Sequence, residues 1–468
     1  MDPLLDVLRE VGQAALGLLT LPYFYIAVAI AWWHARHAVT LQRKLYHVRL
    51  YGTLYLTLMR IAAGVAVGAV LSVAGLGVGA ELNSETLMFL WVATGILALF
   101  RLRYMCLAYA AGALGVLQAL FEWTEITPGE GAIADAFRTL SAIDVPGLLF
   151  MAGLLHIAEG FLVRLQGKQL AIPLFLLGKR GKPMGAYAFS GVWPIPLLWM
   201  IPASGGGFAL PWAPLFGGDT SVWSLLAFPV LIGFSDRTKA YWPEEKTRSS
   251  GNLLMLYGVV IAALAAGAEW WPQLTIVASA GAFVLHEALG WLGRMKESGK
   301  DPLYAQDGKG VRLLAVLPGT PAAELGLHAG ELIKKVNGVA VRTKEELHAA
   351  LQLQSAFCKL EVVNREGHAK FLQRARYEGE HYQLGLILAP DEDVEFVAAS
   401  RSASIWQVLR GRARRQKNSP TMKMQARKEA EQAAAELAAA EETAKLAAEA
   451  EKPSEDEGLP PRGAGARK

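Results

Sequence analysis

Long apolar runs, separated by short polar or basic segments, dominate the chain up to about Gly293. A helix needs roughly 20 apolar residues to cross the hydrocarbon core of a bilayer, so each run is a candidate membrane span. The pattern predicts nine spans, at residues 11–33, 61–79, 87–100, 104–121, 145–163, 186–201, 222–234, 253–268 and 274–292. The third, sixth and seventh are short enough to be paired or re-entrant, which would reduce the count to eight or fewer.

The Lys and Arg residues between these runs alternate along the chain. The loops after the first, third, fifth, seventh and ninth spans are basic, whereas the loops between them hold almost no Lys or Arg, with Arg138 as the exception. Because basic loops stay in the cytoplasm, this alternation predicts an N-terminus outside the cell and a cytoplasmic C-terminal half after Arg294. One miscounted span would move the N-terminus but would leave the C-terminal half inside.

Residues 302–390 have the short alternating runs of a small β-rich domain. Thr320 can cap a helix that has Pro321 at its first position, and Asn337-Gly338 is a strong hairpin signal. The pattern predicts a partly open barrel with two helices. Its strands are expected at 311–317, 331–336, 358–363, 370–375 and 383–388, and its helices at 321–327 and 343–353.

The run VLPGTPAAELGLHAGELIKKVNGVAV resembles the core signature of bacterial PDZ domains, with Glu331 in place of the usual Asp. PDZ domains bind an extended peptide as an added strand, usually with its free carboxylate held by backbone N–H groups. The resemblance implies a groove lined by Leu347 and Leu351 of the second helix. The segment Leu384, Gly385, Leu386, Ile387 is similar to the carboxylate loop of the family, in a permuted strand order. An ordinary strand beside a degenerate groove is an equal alternative.

Three further regions follow this domain: a basic linker at 391–424, an Ala/Glu-rich segment at 425–452 that favours helix, and a disordered tail at 453–468. The predicted fold is therefore an all-α helical membrane bundle of about eight or nine spans at 1–293, then a small PDZ β-barrel/α domain at 302–390, then a partly helical, partly disordered tail.

Composition narrows the choice of function. The formal net charge is only +4, and no basic stripe with interleaved aromatic residues is present, so we expect no nucleic acid partner. The two cysteines, Cys106 and Cys358, fall in different domains and exclude a disulfide framework. No cofactor is expected.

Ionisable residues inside membrane spans are costly and raise the hypothesis of a functional site. Two pairs stand out, His156 with Glu159 and His286 with Glu287. Intramembrane site-2 metalloproteases combine several spans, a PDZ domain and an HExxH helix. Here Gly290 stands where the second His of that motif is needed. These four residues are therefore weak metal candidates; the favoured interpretation is that they pair across helices and fix their packing.

Glycines repeat at a spacing of four in the second span, at Gly64 and Gly68 and again at Gly75 and Gly79. Such spacing lets helices approach closely. It fits either a contact with a second copy, which leaves a homo-oligomer open, or packing within one chain, which is the favoured alternative.

The arrangement as a whole resembles the MinJ-type cell-division topological determinants of rod-shaped Gram-positive bacteria, which have a multi-span half followed by one cytoplasmic PDZ domain. The likeness includes the opening LLTLPYFYIAVAIAWWHARHAVTLQRKLYHVRLYGTLYLTLMR. The resemblance implies a scaffold without catalysis that bridges the polar protein DivIVA to the membrane ATPase MinD. It also implies a multi-pass protein of the cell membrane, enriched at septa and poles and acting in septum site selection through protein binding.

Two alternatives remain from the residues alone. One is a PDZ-containing intramembrane metalloprotease with an incomplete HExxH motif. The other is a secretion or transport accessory, which the prolines near the span ends leave open. In every case the chain contacts the lipid bilayer.

Overall fold

The computed structural model shows a helical half, a three-stranded sheet inside it and a small β-rich domain after it. It describes residues 3–46, 48–79, 82–124, 130–178, 181–203, 207–217, 220, 222–354, 356–375, 377 and 384–391. The predictions for the basic linker, the Ala/Glu-rich segment and the tail concern residues beyond Asp391, which lie outside the described part.

The secondary structure of the described residues is as follows. The helices are α1 (Pro3–Thr20), α2 (Pro22–Tyr46), α3 (Thr53–Val78), α4 (Ser84–Phe100), α5 (Leu107–Thr124), α6 (Ala132–Ser141), α7 (Val145–Leu165), α8 (Gly167–Leu170), α9 (Pro243–Gly267), α10 (Leu274–Ser298), α11 (Pro321–Glu324) and α12 (Lys344–Gln352). The strands are β1 (Ala171–Leu177), β2 (Pro183–Pro202), β3 (Trp223–Thr238), β4 (Val311–Val316), β5 (Leu332–Val336), β6 (Val339–Ala340), β7 (Phe357–Val363), β8 (Ala369–Ala375) and β9 (Leu386–Leu388).

Four of the described helices, α3, α7, α9 and α10, are long and apolar enough to cross a membrane. The pair α1 and α2 would make a fifth span if it is counted as one, although the two helices are bent by 64° at their junction. The helix α4 is apolar but shorter. Several apolar helices of span length are therefore present among the described residues, whereas the predicted count of eight or nine is not confirmed.

The all-α prediction is wrong for residues 171–238. The sixth and seventh predicted spans, 186–201 and 222–234, form β2 and β3 of one long antiparallel hairpin, with β1 paired to the first part of β2. An apolar run of span length cannot by its hydrophobicity alone be distinguished from a buried strand. Pro194 and Pro196 lie in the middle of the run, and their missing N–H groups disfavour a helix there.

The hairpin replaces two predicted membrane crossings. Because this is an even number, the predicted sides of the remaining loops do not change. β2 begins next to the basic Lys182, and β3 ends next to Arg237 and Lys239. The charge alternation of the remaining helices therefore predicts the same orientation as before.

The outer edge of β2 is closed by α3. The N–H of Leu198 donates to the hydroxyl of Ser72 (2.9 Å), and Arg60 donates to the carbonyl oxygen of Ser190 (3.1 Å). Alternate residues of a strand point their N–H groups to the same edge. Pro194 and Pro196 share that edge with Leu198 and have no N–H to leave unpaired. The strand thus avoids the exposed backbone donors that a lipid environment does not tolerate.

Glycines of α3 make this contact close. A Cβ atom at Gly64 would overlap the carbonyl oxygen of Pro194, and one at Gly68 would overlap that of Pro196. At Gly75 it would lie 3.2 Å from the ring of Trp199. The small-residue spacing seen in the sequence therefore packs within the chain, as favoured, although its partner is a strand rather than a helix.

The most buried of the candidate spans is α7, which packs against α9 through glycines on both helices. A Cβ atom at Gly153 would lie 2.7 Å from the carbonyl oxygen of Gly258, and one at Gly160 would lie 2.5 Å from that of Gly251. These two contacts let the helix backbones approach closely. The buried apolar side chains of α7 and α9 belong to one core that also includes residues of the β2–β3 hairpin.

The C-terminal domain follows its predicted pattern closely. Its strands are ordered β8-β7-β5-β4-β9, with β6 paired to β5, and Thr343 caps α12 by accepting from the N–H of Glu346. Glu331, the residue noted for replacing Asp, is 3% exposed and pairs with Lys370 at 2.6 Å. The Lys370 ammonium thus offsets the cost of burying the Glu331 carboxylate, which would be high for an unpaired charge.

This domain is attached to the membrane half by aromatic residues. Tyr304 is fully buried, and its ring lies edge-on to the rings of Tyr187 on β2 (5.3 Å) and Trp242 before α9 (5.7 Å). The hydroxyl of Tyr187 donates to the carbonyl oxygen of Leu314 on β4. Burial raises the pKa of the Tyr304 phenol above its usual range, so it stays protonated and donates to the carbonyl oxygen of Tyr241 (3.4 Å).

Polar contacts reinforce the attachment. The Arg365 guanidinium lies over the Trp242 ring at 4.4 Å and 3.7 Å from the carboxylate of Glu244. The N–H of Gly185 donates to the carbonyl oxygen of Tyr304 (2.9 Å). Cation–π contacts of a desolvated Arg contribute up to about 2 kcal/mol each. The two halves therefore share an interface with buried aromatic and hydrogen-bonded contacts.

We expect Gly64→Ala and Gly68→Ala each to destabilise the protein by about 1–3 kcal/mol, because the added methyl group collides with backbone atoms of β2 that have little freedom to move. Thermal unfolding of the full chain in detergent, followed by tryptophan fluorescence, measures the effect. Gly77→Ala on the same helix is the matched control, since a Cβ there meets nothing within 4 Å. Equal melting temperatures for Gly64→Ala and Gly77→Ala would contradict the α3–β2 contact.

Candidate functional site

The turn before β9 is fixed by backbone hydrogen bonds. Leu384 and Gly385 both have positive φ angles, of 57° and 81°. The carbonyl oxygen of Gly385 accepts from Leu317 N–H and that of Leu384 accepts from Ala322 N–H, both at 2.9 Å. A side chain at Gly385 would collide with Thr320, so this turn requires glycine. It lies where the resemblance to PDZ domains implied the carboxylate loop.

The strand β9 lies at the end of its sheet. Among the described strands, β4 is its only hydrogen-bonded neighbour. An edge strand offers unpaired backbone N–H and C=O groups to an incoming peptide. The geometry can therefore support strand addition at this edge.

The predicted groove residues divide between two faces of the domain. Leu347, Leu351, Leu384 and Leu386 are each at most 6% exposed and belong to one buried cluster. Ile387 points to the opposite face, as alternation along a strand requires, and packs in the core shared with the membrane half. Groove lining by Leu347 and Leu351 stays a prediction.

His348 of α12 follows Leu347 of this cluster in the chain. Burial lowers the pKa of His348 below its ordinary value, and the neighbouring Lys344 lowers it further. The imidazole is therefore neutral at neutral pH, and α12 adds no positive charge at this position.

A basic cleft of about 670 Å³ lies between the two halves. Its lining on one side comes from the last turn of α2 and the segment that follows it, and on the other side from the loop that joins β4 and α11. The residues are Arg43, Val48, Arg49, Leu317, Pro318 and Thr320. Because Leu317 and Thr320 also contact the Leu384-Gly385 turn, the cleft adjoins the carboxylate-loop position. In the sequence, Arg43 and Arg49 were considered only as part of the basic loops that predict the orientation in the membrane.

A second polar cluster lies inside the helical half. The rings of His156 on α7 and His286 on α10 are 5.3 Å apart, and both contact the ring of Tyr257 on α9. The thiol of Cys106, just before α5, lies 3.4 Å from Nε2 of His156. The ligand atoms of Cys106, His156 and His286 all lie within 4.8 Å of one another.

The two glutamates of the predicted pairs have different surroundings. Glu287 forms an ion pair with Arg103 (2.5 Å) and accepts from the hydroxyl of Tyr109 (2.9 Å). Glu159 is not part of the group whose ligand atoms converge. The cross-helix pairing that the sequence favoured is therefore present for His156, His286 and Glu287.

Sequence reasoning missed four members of this cluster: Cys106, Tyr109, Tyr257 and Arg103. Cys106 is 50 residues from His156 along the chain, and no spacing rule links a cysteine to a histidine on another helix. The available signal was weak: Cys106 and His156 each lie in an apolar run, where a polar side chain needs a partner.

Comparisons with known proteins agree with the two-part organisation. A family model described as a PDZ domain matches residues 312–365. The chain is 28% identical over 384 residues to the cell division topological determinant MinJ of Bacillus subtilis (strain 168), covering 81% of this chain and 94% of that protein.

Two further relatives, each named a probable cell division topological determinant MinJ, come from Lacticaseibacillus paracasei and Lacticaseibacillus casei (strain BD-II). Each is 24% identical to this chain over 274 residues, which cover 54% of this chain and 71% of the relative. The resemblance to MinJ-type cell division determinants that the sequence predicted is therefore confirmed, and it extends over most of the chain, PDZ domain included.

Proposed function

We propose that this protein is an integral-membrane adaptor in division-site selection, which recruits protein partners through its PDZ domain and carries no catalysis. The observation that supports this most is a PDZ domain with an edge strand at β9, attached by buried aromatic contacts to a domain of apolar helices. Its similarity to division determinants along 81% of the chain points to the process.

Two agreeing features support the proposed orientation. The basic segment that contains Arg43 and Arg49 belongs to the loops that the charge alternation assigns to the cytoplasm. The same segment shares a cleft with the PDZ loop, so both lie on one side of the membrane. A multi-pass protein with a cytoplasmic PDZ domain fits both features.

The groove suits a peptide with a free carboxylate or an acidic end. Such a peptide would pair with the edge of β9, and its carboxylate would lie near the Leu384-Gly385 turn. Arg43 and Arg49 at the adjoining cleft supply charge-assisted hydrogen bonds, which contribute about 1.5–3 kcal/mol each.

The resemblance to MinJ-type proteins suggests the partners. We propose that the chain bridges a DivIVA-like polar scaffold and a MinD-like membrane ATPase, and that it is enriched at septa and poles. Two separate binding surfaces are needed for such a bridge. The PDZ edge is one, and the helical half supplies the other.

One observation favours the alternative of an intramembrane metalloprotease: His156 and His286 lie close enough together to bind one metal ion. A protease of that type needs a carboxylate free to act as general base. Glu287 is instead held by Arg103 and Tyr109, and Gly290 replaces the second histidine of the motif. These features support the adaptor over the protease.

The cellular prediction is enrichment of the fluorescently tagged chain at division septa and poles, because an adaptor follows its scaffold partner. Fluorescence microscopy of dividing cells measures it. A chain that lacks residues 302–390 but keeps the membrane half is expected to lose enrichment if the PDZ domain captures the scaffold. Uniform membrane fluorescence of the full chain, with a phenotype in secretion instead of septum placement, would contradict the proposal.

The molecular prediction concerns the basic cleft. The double variant Arg43→Glu/Arg49→Glu should weaken binding of an acidic C-terminal peptide by about tenfold or more, since one lost charge-assisted hydrogen bond exceeds the 1.4 kcal/mol that a tenfold change requires. Fluorescence anisotropy of labelled peptides with the full chain in detergent measures the affinity.

Lys44→Glu is the matched control, because Lys44 is exposed on the same helix and does not line the cleft. It should change the affinity little. Equal losses for the control and the double variant, or equal binding of free-acid and amidated peptides, would contradict carboxylate recognition at this cleft.

A further inference from the structure

We propose that Cys106, His156 and His286 form a binding site for one zinc ion inside the helical half. The three residues come from three separate parts of the chain, the turn before α5, α7 and α10, and their ligand atoms lie within 4.8 Å of one another. His156 is 3% exposed, while Cys106 and His286 are half-buried. Zinc is bound in proteins by this combination of cysteine sulfur and histidine nitrogen.

The hydrogen bond of His156 leaves the nitrogen that faces the cluster available. Its Nδ1 lies 2.7 Å from the carbonyl oxygen of Ala152, which can only accept, so Nδ1 carries the proton. Nε2 then has a lone pair, and it is this atom that lies 3.4 Å from the sulfur of Cys106. A ring N–H donated to a backbone carbonyl is the usual way in which a metal-binding histidine is oriented.

A longer chain of hydrogen bonds orients His286 in the same sense. Arg103 pairs with Glu287, Glu287 accepts from the hydroxyl of Tyr109, and the oxygen of Tyr109 lies 2.9 Å from Nδ1 of His286. Since the Tyr109 proton goes to the carboxylate, Nδ1–H is the donor of the last bond. Among the described residues, Nε2 of His286 makes no hydrogen bond. This arrangement is the carboxylate-supported histidine of metal sites, extended by one phenol.

The converging atoms are one nitrogen from each imidazole and the sulfur of Cys106. The Nε2 lone pair of His156 faces the sulfur of Cys106 across 3.4 Å, and a thiol is only a weak hydrogen-bond donor. A divalent cation would take this lone pair as a ligand, and the thiol would give up its proton to bind as a thiolate.

The neighbouring Tyr257 completes an apolar and aromatic surrounding. Its ring contacts both histidines at 4.9 and 5.3 Å, while its hydroxyl is committed to the carbonyl oxygen of Ala282 (2.9 Å). Tyr257 thus shields the site without competing as a ligand. Three protein ligands leave the fourth position of a zinc tetrahedron for a water molecule or another small ligand.

A bound ion would link α5, α7 and α10 across the helical half. Because α10 leads directly into the segment before the PDZ domain, zinc would stabilise the part of the fold from which the PDZ domain is held. This role is independent of peptide capture and of division-site selection.

The test measures zinc binding to the full chain purified in detergent and stripped with a chelator. After addition of Zn²⁺ and removal of the excess, elemental analysis should find one zinc per chain. Co²⁺ in its place should give the charge-transfer absorption of a thiolate ligand, and Zn²⁺ should raise the melting temperature. Cys106→Ser should weaken zinc binding by more than about a hundredfold, since loss of an outer partner alone costs about 10- to 100-fold.

Two matched controls separate ligand loss from misfolding. Cys358→Ala removes the other cysteine, which lies buried in the PDZ domain, and His37→Asn removes an exposed histidine of α2. Both should retain one zinc per chain, and Tyr109→Phe should bind zinc more weakly while keeping the thiolate–cobalt band. The proposal is overturned if the folded wild type binds no zinc, or if Cys106→Ser melts like the zinc-free wild type yet binds as much zinc as the wild type does.

Discussion

The closure of the β2 edge by α3 is the contact on which the other features depend. A strand placed among apolar helices must leave no backbone donor unpaired, because lipid offers no substitute for water. Prolines at 194 and 196 remove two donors, Ser72 accepts a third, and the glycines of α3 let its backbone approach the strand. With its edge closed in this way, β2 can run from the core of the helical half to the PDZ domain, where Gly185 and Tyr187 contact it.

The two halves consequently meet along a defined interface. Tyr187 and Trp242, on the membrane side, enclose Tyr304, and Arg365 of the PDZ domain lies over Trp242. This interface uses Ile387, Ala315 and Leu317 on one face of the β4–β9 pair, while the outer edge of β9 has no described strand beside it. A partner peptide is therefore expected to bind at the membrane surface, next to Arg43 and Arg49, rather than at a domain on a free tether.

The sequence predicted local features well and long-range ones poorly. The PDZ strands and helices follow from turns, caps and alternation, and they lie within a few residues of their predicted positions. The β2–β3 hairpin was predicted as two helices because hydrophobicity reports burial in apolar surroundings and not backbone geometry. Pro194 and Pro196, in the middle of one of these predicted helices, were the signal against helix there. The meeting of Cys106, His156 and His286 depends on helix packing, which no single-sequence pattern contains.

The most direct test of a PDZ domain fixed to the membrane half is a distance measurement across their interface. Spin labels carried by unnatural amino acids at Glu245 of α9 and Glu366 of the β7–β8 turn, both exposed, would leave Cys106 and Cys358 unchanged in a chain reconstituted in bilayers. Pulsed electron spin resonance should give one narrow distance distribution, which broadens when Trp242 is changed to Ala. A broad distribution in the chain with Trp242 intact would show a PDZ domain on a flexible tether and would contradict the account.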